Sequence, residues 1–169
     1  MKITVEFPAF DAGARTIGQL FGDGTFSFAV GQARGVACGL GPVDASANIT
    51  DIRFGFLIVG DRYRIIVNGQ PGAVYQSYTA LSRFIITRSN GILRAYVNST
   101  LIETDPVEEH RFLFGDCSLF AFGDAIEDAE IEASVANEVI TANIGLGPIS
   151  ASGTQGVVAV GFAGIGPFN

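Results

Sequence analysis

The sequence predicts an all-β protein of antiparallel strands, on three observations. Asn-Gly pairs stand between apolar, β-branched runs at Asn68-Gly69 and Asn90-Gly91. Such a pair is the strongest local hairpin signal, because a type I′ turn needs φ > 0 at both central residues. Of the 169 residues, 22 are Gly and 14 are Phe while only 16% are charged, a composition of strands and tight turns rather than helices. No stretch carries an apolar 3.6-residue period bounded by caps.

The first expected strand, 2–7, rests on the alternation in Ile3-Thr-Val-Glu-Phe7, which follows Met1-Lys2 directly and shows no apolar h-region of a signal peptide. Strands near 15–21 and 24–30 flank the turn Gly22-Asp23-Gly24, and 33–38 follows. Strands 48–59 and 62–67 meet at Gly60-Asp61. The turn Asn68–Gly72 leads to 73–78. Strands 83–88, 92–97 and 100–104 form a meander through Asn90-Gly91 and Asn98-Ser99-Thr100. Strands 111–114, 117–122 and 126–133 complete the set, with a turn at Phe122-Gly123-Asp124. Ala136 to Ala142 has the length of a short helical turn, but Val139-Ile140-Thr141 argues for strand.

Many short strands with turn signals this close together predict a sandwich or a barrel. Phe54, Phe56, Ile58, Ile65, Val67, Phe84, Ile86, Leu93, Ala95 and Val97 alternate onto one face, with Phe56, Ile65, Ile86 and Val97 expected in the core. Arg53, Asp61, Arg88 and Arg94 fall on the opposite face or in turns. This is the inside/outside code of a two-sheet sandwich. Residues 48–133 read as the core module, 1–47 as N-terminal strands that complete or flank it, and 134–169 as an apolar, Gly-rich assembly segment.

The flanks share a pattern: Gly39-Leu-Gly-Pro-Val43, Gly145-Leu-Gly-Pro-Ile149 and Gly164-Ile-Gly-Pro-Phe168, with a fainter relative at Phe7-Pro8-Ala9-Phe10. Proline removes a ladder donor, so these read as strand ends or edge strands, one structural role used several times. From Ile144 to Asn169 no residue is charged. An exposed edge of that kind aggregates unless its own domain or a neighbouring subunit covers it.

The formal net charge of −7 and the scattered basic residues argue against nucleic acid and anionic membranes as partners. The closest basic grouping, Arg53, Arg62 and Arg64, reads as solvent-facing strand positions. No run reaches the roughly 18 apolar residues of a membrane-spanning helix. Cys38 and Cys117 have no metal spacing and fit buried thiols of a protein made in a reducing cytosol, with a single disulfide left open.

Residues 52–131 resemble the concanavalin-like, laminin-G-type jelly-roll modules of bacteriophage tail and fibre proteins, over about half the chain. The likeness is carried by Tyr63-Arg-Ile-Ile-Val-Asn-Gly69, Phe84-Ile-Ile-Thr-Arg-Ser-Asn-Gly91, Leu93-Arg-Ala-Tyr-Val-Asn98 with Leu101-Ile102, and Ser118-Leu-Phe-Ala-Phe-Gly-Asp-Ala-Ile126. Such modules often have Gly after the Asn where this chain has Ser99, and sugar-binding members often place a Trp in their sites, a residue absent here. The resemblance implies a jelly-roll sandwich in a virion protein made in the bacterial host cytoplasm.

Catalytic signals are weak. In a strand Asp128, Glu130 and Glu132 share one face, with Ala129, Ile131 and Ala133 packed inward, but the spacing of a retaining-glucanase carboxylate set is absent. His110, the one histidine, lies in a polar loop without metal or triad partners. Asp61, Asp116 and Asp124 at strand ends are the residues to consider for calcium, without a dense Asp-x-Asp loop. There is no nucleophile elbow, phosphate loop or dinucleotide fingerprint.

These readings lead to no enzyme, no cofactor and no metal. The expected function is structural: a phage tail component or capsid-surface decoration that assembles with other virion proteins and with itself, as a homo-oligomer such as a trimer. Its interface is expected at Ile144, Leu146, Pro148, Ile149, Val158, Val160, Phe162, Ile165 and Phe168. The alternative is a glycan-binding host-adhesion module with Tyr63, Tyr75, Tyr78 and Tyr96 as stacking residues. On the first reading the full chain should exceed monomer mass in native mass spectrometry, and removal of residues 144–169 should return it to a monomer. An oligomer that survives the truncation overturns the interface.

Overall fold

Residues 12–31, 33–42, 46–106, 110, 112–121 and 123–133 are described by the computed structural model, together with the backbone of 142–143 and 148–149. The chain divides into two units, Met1–Ser134 and Val135–Asn169. The expected strand at 2–7 lies outside the described residues.

Among the described residues, the first unit carries twelve strands and no α-helix. They are β1 (Ala12–Phe21), β2 (Gly24–Val30), β3 (Val36–Gly41), β4 (Phe54–Val59), β5 (Arg62–Val67), β6 (Gln70–Pro71), β7 (Gln76–Ser77), β8 (Phe84–Ser89), β9 (Ile92–Val97), β10 (Thr100–Asp105), β11 (Phe112–Leu119) and β12 (Ile126–Ala133). A 3-10 turn at Ile49–Asp51 precedes β4. One sheet has seven strands, in the order β1-β11-β3-β4-β5-β6 with β7 also on β5; the other has five, β10-β9-β8-β2-β12. Every pairing is antiparallel, and the two sheets face each other as a sandwich. In the second unit β13 (Ala142–Asn143) pairs antiparallel with β14 (Pro148–Ile149).

Hairpin chemistry sets the register. Asn68 (φ 52°) with Gly69 (φ 72°) and Asn90 (φ 52°) with Gly91 (φ 71°) take the left-handed pair that a type I′ turn needs. Asn98 is also left-handed, at φ 55°, whereas Ser99 after it is not. The Asn98 side chain accepts the Arg83 N–H at 2.9 Å and its own N–H donates to the Arg83 carbonyl at 2.7 Å, so the turn holds without glycine at the next position.

Register then delivers alternate side chains between the sheets. Phe26, Phe28, Phe84, Ile86 and Leu93 of the five-stranded sheet bury against Leu40, Phe54, Phe56, Ile58 and Tyr63 of the seven-stranded one. Phe84 is the hub: its ring centroid lies 5.3 Å from Phe28 and, edge to face, 4.9 Å from Phe56, 5.7 Å from Tyr63 and 5.2 Å from Tyr78. Of the four residues expected in the core, Phe56, Ile86 and Val97 are buried and Ile65 packs against them half-exposed.

The seven-stranded sheet is also covered on its outer face. Gly39 and Gly55 stand directly opposite each other on β3 and β4, and Ile52 seats over the pair. A Cβ on Gly55 would fall 2.7 Å from Gly39 Cα and 2.9 Å from Ile52 Cγ2. Ile52 joins Ala37, Leu57 and Ile66 in a second buried cluster, with Ile49 beside it. Both faces of β3 and most of β4 are therefore buried.

Five expectations need correction. Residues 48–53 are not strand. The Asn48 side chain accepts from Thr50 N–H, and Ser46 donates to Asp51, so local side-chain bonds displace the ladder. The span 73–78 keeps only Gln76–Ser77 as strand. The two strands placed at 111–114 and 117–122 are one: Gly115 makes no turn but leaves room for the Phe26 ring, 2.5 Å from where its Cβ would stand. Arg88 lies on the inner face, 9% exposed, at the end of the Phe84–Ile86 row, where its Nη2 donates to the His110 carbonyl at 2.6 Å. Arg53, expected in solvent, is largely buried in an ion pair with Asp105 of β10 that joins the two sheets.

Phe84→Ala is expected to cost about 3–5 kcal/mol, because it empties the centre of the aromatic cluster. Gly55→Val should cost at least about 1–3 kcal/mol by overpacking under Ile52. Urea denaturation checks both; a Gly55→Val protein as stable as the parent would contradict the seating of Ile52.

Candidate functional site

The outer face of the five-stranded sheet is the second large surface of the sandwich. Strand alternation places Thr25, Ser27 and Ala29 of β2 on it, with Ile85, Thr87 and Ser89 of β8 and Ile92, Arg94 and Tyr96 of β9. All nine are half-buried rather than covered. Two rows cross the strands. One runs Glu130, Ser27, Ile85, Tyr96 and Leu101; the next runs Glu132, Thr25, Thr87, Arg94 and Thr104. The surface combines one aromatic ring, small hydroxyls, and both signs of charge.

Its acidic side is organised by Arg83. Arg83 Nη2 donates to Ser27 Oγ at 2.9 Å and to the Asp128 carbonyl at 3.0 Å, and lies 3.6 Å from Glu130 Oε2. A bulge in β12 between Glu127 and Glu130, with Asp128 at φ 49°, breaks the expected alternation. Glu127, Glu130 and Glu132 oppose the outward Ala29, Ser27 and Thr25, while Asp128 drops out of the row. The expected Asp128-Glu130-Glu132 face is corrected accordingly. Ile131 faces inward as expected, opposite Phe26.

The four tyrosines do not come together. Tyr63 is 2% exposed and gives its ring to the core, with its hydroxyl on Gln76 Oε1 at 2.9 Å. Tyr78 packs on Phe84 and donates to the Gly60 carbonyl at 2.9 Å. Burial pushes both phenols up, and Asp61 adds to the shift at Tyr78. Tyr75 is exposed beneath the Arg64 guanidinium, 4.5 Å from the ring centroid. Only Tyr96 stands on the open sheet face.

Asp124 is a structural anchor: its carboxylate accepts N–H bonds from Arg34 (2.6 Å), Ala121 (2.8 Å) and Gly35 (3.3 Å). Asp116 is buried on the outer side of β11 opposite Gly39, and Asp61 is exposed in its turn. No cluster of three or more metal-ligating side chains occurs among the described residues, so these three do not form one. His110 is exposed. Of the expected interface, Pro148 and Ile149 pair by backbone with Asn143 and Ala142; Ile144, Leu146, Val158, Val160, Phe162, Ile165 and Phe168 lie outside the described residues. The reading from sequence missed Arg94, Thr25 and Thr87 as neighbours, although each occupies a position that alternates with the core residues of its strand.

No protein-family model matches the chain, and no curated protein matches it in sequence. Solved structures similar to it include a carbohydrate-binding module, CBM66 from Bacillus subtilis (TM-score 0.46, 13% identity, 72% of this chain and 82% of that one). CG-16, a homodimeric agglutinin from chicken liver, gives TM-score 0.44 and 9% identity over 71% of this chain and 99% of that one. An alginate lyase from Corynebacterium sp. gives 0.44 and 14% over 69% and 62%.

Asp124→Ala should cost about 1.5–3 kcal/mol, since it leaves buried amides without their charged acceptor. Asp61→Ala in the exposed turn should fall within about 0.5 kcal/mol of the parent. Equal losses in denaturant titrations would contradict the anchoring role.

Proposed function

We propose that the protein is a glycan-binding module that holds a saccharide on the outer face of its five-stranded sheet without cleaving it. The observation that carries this reading is the placement of Tyr96 and Arg94, two residues apart on β9 and flanked by Ile85 and Thr87 on β8. A half-exposed phenol ring offers an apolar plane for the C–H face of a sugar and a polar edge for its hydroxyls. Arg94 and the Thr25, Ser27 and Thr87 hydroxyls supply donors and acceptors at fixed spacing on a rigid sheet. A cationic donor beside the ring suits saccharides that bear a carboxylate.

A glycan array is expected to show selective binding by the full chain. Tyr96→Ala and Arg94→Ala should each weaken it about tenfold, the equivalent of ~1.4 kcal/mol, with unchanged melting temperature. No selective binding on an array that includes uronic-acid oligosaccharides would overturn the proposal.

A second reading, a structural virion component of a phage, rests on a different observation: the uncharged run from Ile144 to Asn169 and its Gly-Pro repeats. On that reading affinity comes from burial of the run against neighbouring subunits, and native mass decides it independently of the array.

A further inference from the structure

Cys38 and Cys117 are directly opposite residues of β3 and β11. Both are reduced thiols in the structure, and both side chains pack into the space between the sheets. Their backbones turn away from each other. The Cys38 carbonyl faces β4, 2.5 Å from where a Cβ on Gly55 would stand, and the Cys117 carbonyl faces β1, 2.9 Å from the corresponding position on Gly13. On the same ladder the Phe120 N–H donates to the Gly35 carbonyl at 2.9 Å. Antiparallel pairs alternate between bonded and non-bonded, so counting from 35/120 makes 38/117 a non-bonded pair as well. In such pairs the Cα atoms are about 4.5 Å apart, and a disulfide bridges Cα separations of about 4.4–6.8 Å.

The thiols are also reachable. A cavity of 230 Å³ is lined by Cys38 and Cys117 together with Ala14, Thr16, Phe26 and Ala129. It lies where β1 and β12, the edge strands of the two sheets, approach each other. Both strands are bulged there, β1 between Arg15 and Gln19 and β12 between Glu127 and Glu130. Hydrogen peroxide is close to water in size, and a water occupies about 30 Å³.

We infer that Cys38 and Cys117 form a cross-strand oxidation site, converted by peroxide entering this cavity into a disulfide that staples β3 to β11. The half-exposed Cys117 reacts first. Its thiolate attacks one peroxide oxygen, the O–O bond breaks, and the departing hydroxide takes up a proton to leave as water, giving a sulfenic acid. The Cys38 sulfur then attacks the sulfenic sulfur, the S–O bond breaks, and the second water leaves with the Cys38 proton. Two thiols lose two electrons and two protons, and one peroxide becomes two waters. Burial raises the Cys38 thiol well above its ordinary pKa, with Cys117 and Asp116 adding to the shift. That suits Cys38 to the second, intramolecular step. The bond encloses the strands from β4 to β10 and is independent of what the sheet face binds.

The test treats the folded, reduced full chain with hydrogen peroxide, then alkylates with iodoacetamide and measures intact mass. The expected product is a monomer lighter by two hydrogen atoms, with both thiols closed to alkylation and a melting temperature that rises and returns on reduction. Cys38→Ala should instead accumulate oxygen adducts at Cys117, and Cys117→Ala should leave Cys38 unmodified. Oxygen adducts on the native wild-type chain, disulfide-linked dimers, or unchanged thiols at peroxide levels that cross-link the urea-unfolded chain would each overturn the inference. The wild-type measurement decides the matter even where an alanine variant fails to fold.

Discussion

The edge-to-face contact between Phe84 and Phe56 joins the two sheets at their centre, and most of the fold depends on it. Phe84 also stacks on Phe28, its cross-strand partner, and meets Tyr63 and Tyr78 from the seven-stranded side. Once these rings occupy the interior, strand alternation leaves no choice for the intervening residues. A one-residue slip of β8 would bring Ile85 and Thr87 inward and expose Phe84 and Ile86. The Asn-Gly turns guard against that slip, because their backbone fixes which residues pair.

The two outer faces then diverge. Over β3 and β4 the glycine pair Gly39–Gly55 makes a shallow seat, and Ile52 fills it from the segment that precedes β4. That face becomes a second small core. The five-stranded sheet instead carries threonine, serine, arginine and tyrosine outward. The low charged fraction of the chain is thus matched by hydroxyl-bearing strands, which hydrate a surface without fixing a strong field. It is on this difference between the faces that the assignment of a binding surface rests.

Wherever local pattern and tertiary packing agree, the fold was legible in the sequence. Strands 24–30, 62–67, 92–97 and 126–133 fall where alternation and turn residues place them. The misreadings occur where a residue answers to a distant partner. Residues 111–114 and 117–122 read as two strands, yet Gly115 continues the strand and serves the Phe26 ring. Arg88 reads as outward, yet the sandwich end lets its guanidinium reach the His110 carbonyl. The β12 bulge at Asp128 leaves no local signature, because asparagine and aspartate take positive φ in many settings. The candidate site was half visible: Tyr96 belonged to a list of four tyrosines, but nothing local distinguished it from Tyr63, whose burial follows from its pairing with Ile58. The register that sets Cys38 against Cys117 likewise spans most of the chain.

The central claim, that the open face of the five-stranded sheet is the binding surface, is tested most directly by two-dimensional NMR of the isotopically labelled chain. The titrant is the oligosaccharide retained best on the array. The expected result is that amide shifts move along β8 and β9 around Thr87, Arg94 and Tyr96 and across β2 at Thr25 and Ser27, while Gly39, Gly55 and Ile52 stay still. Shifts concentrated in the loop at Val74, Tyr75 and Leu81, or on the face covered by Ile52, would contradict it.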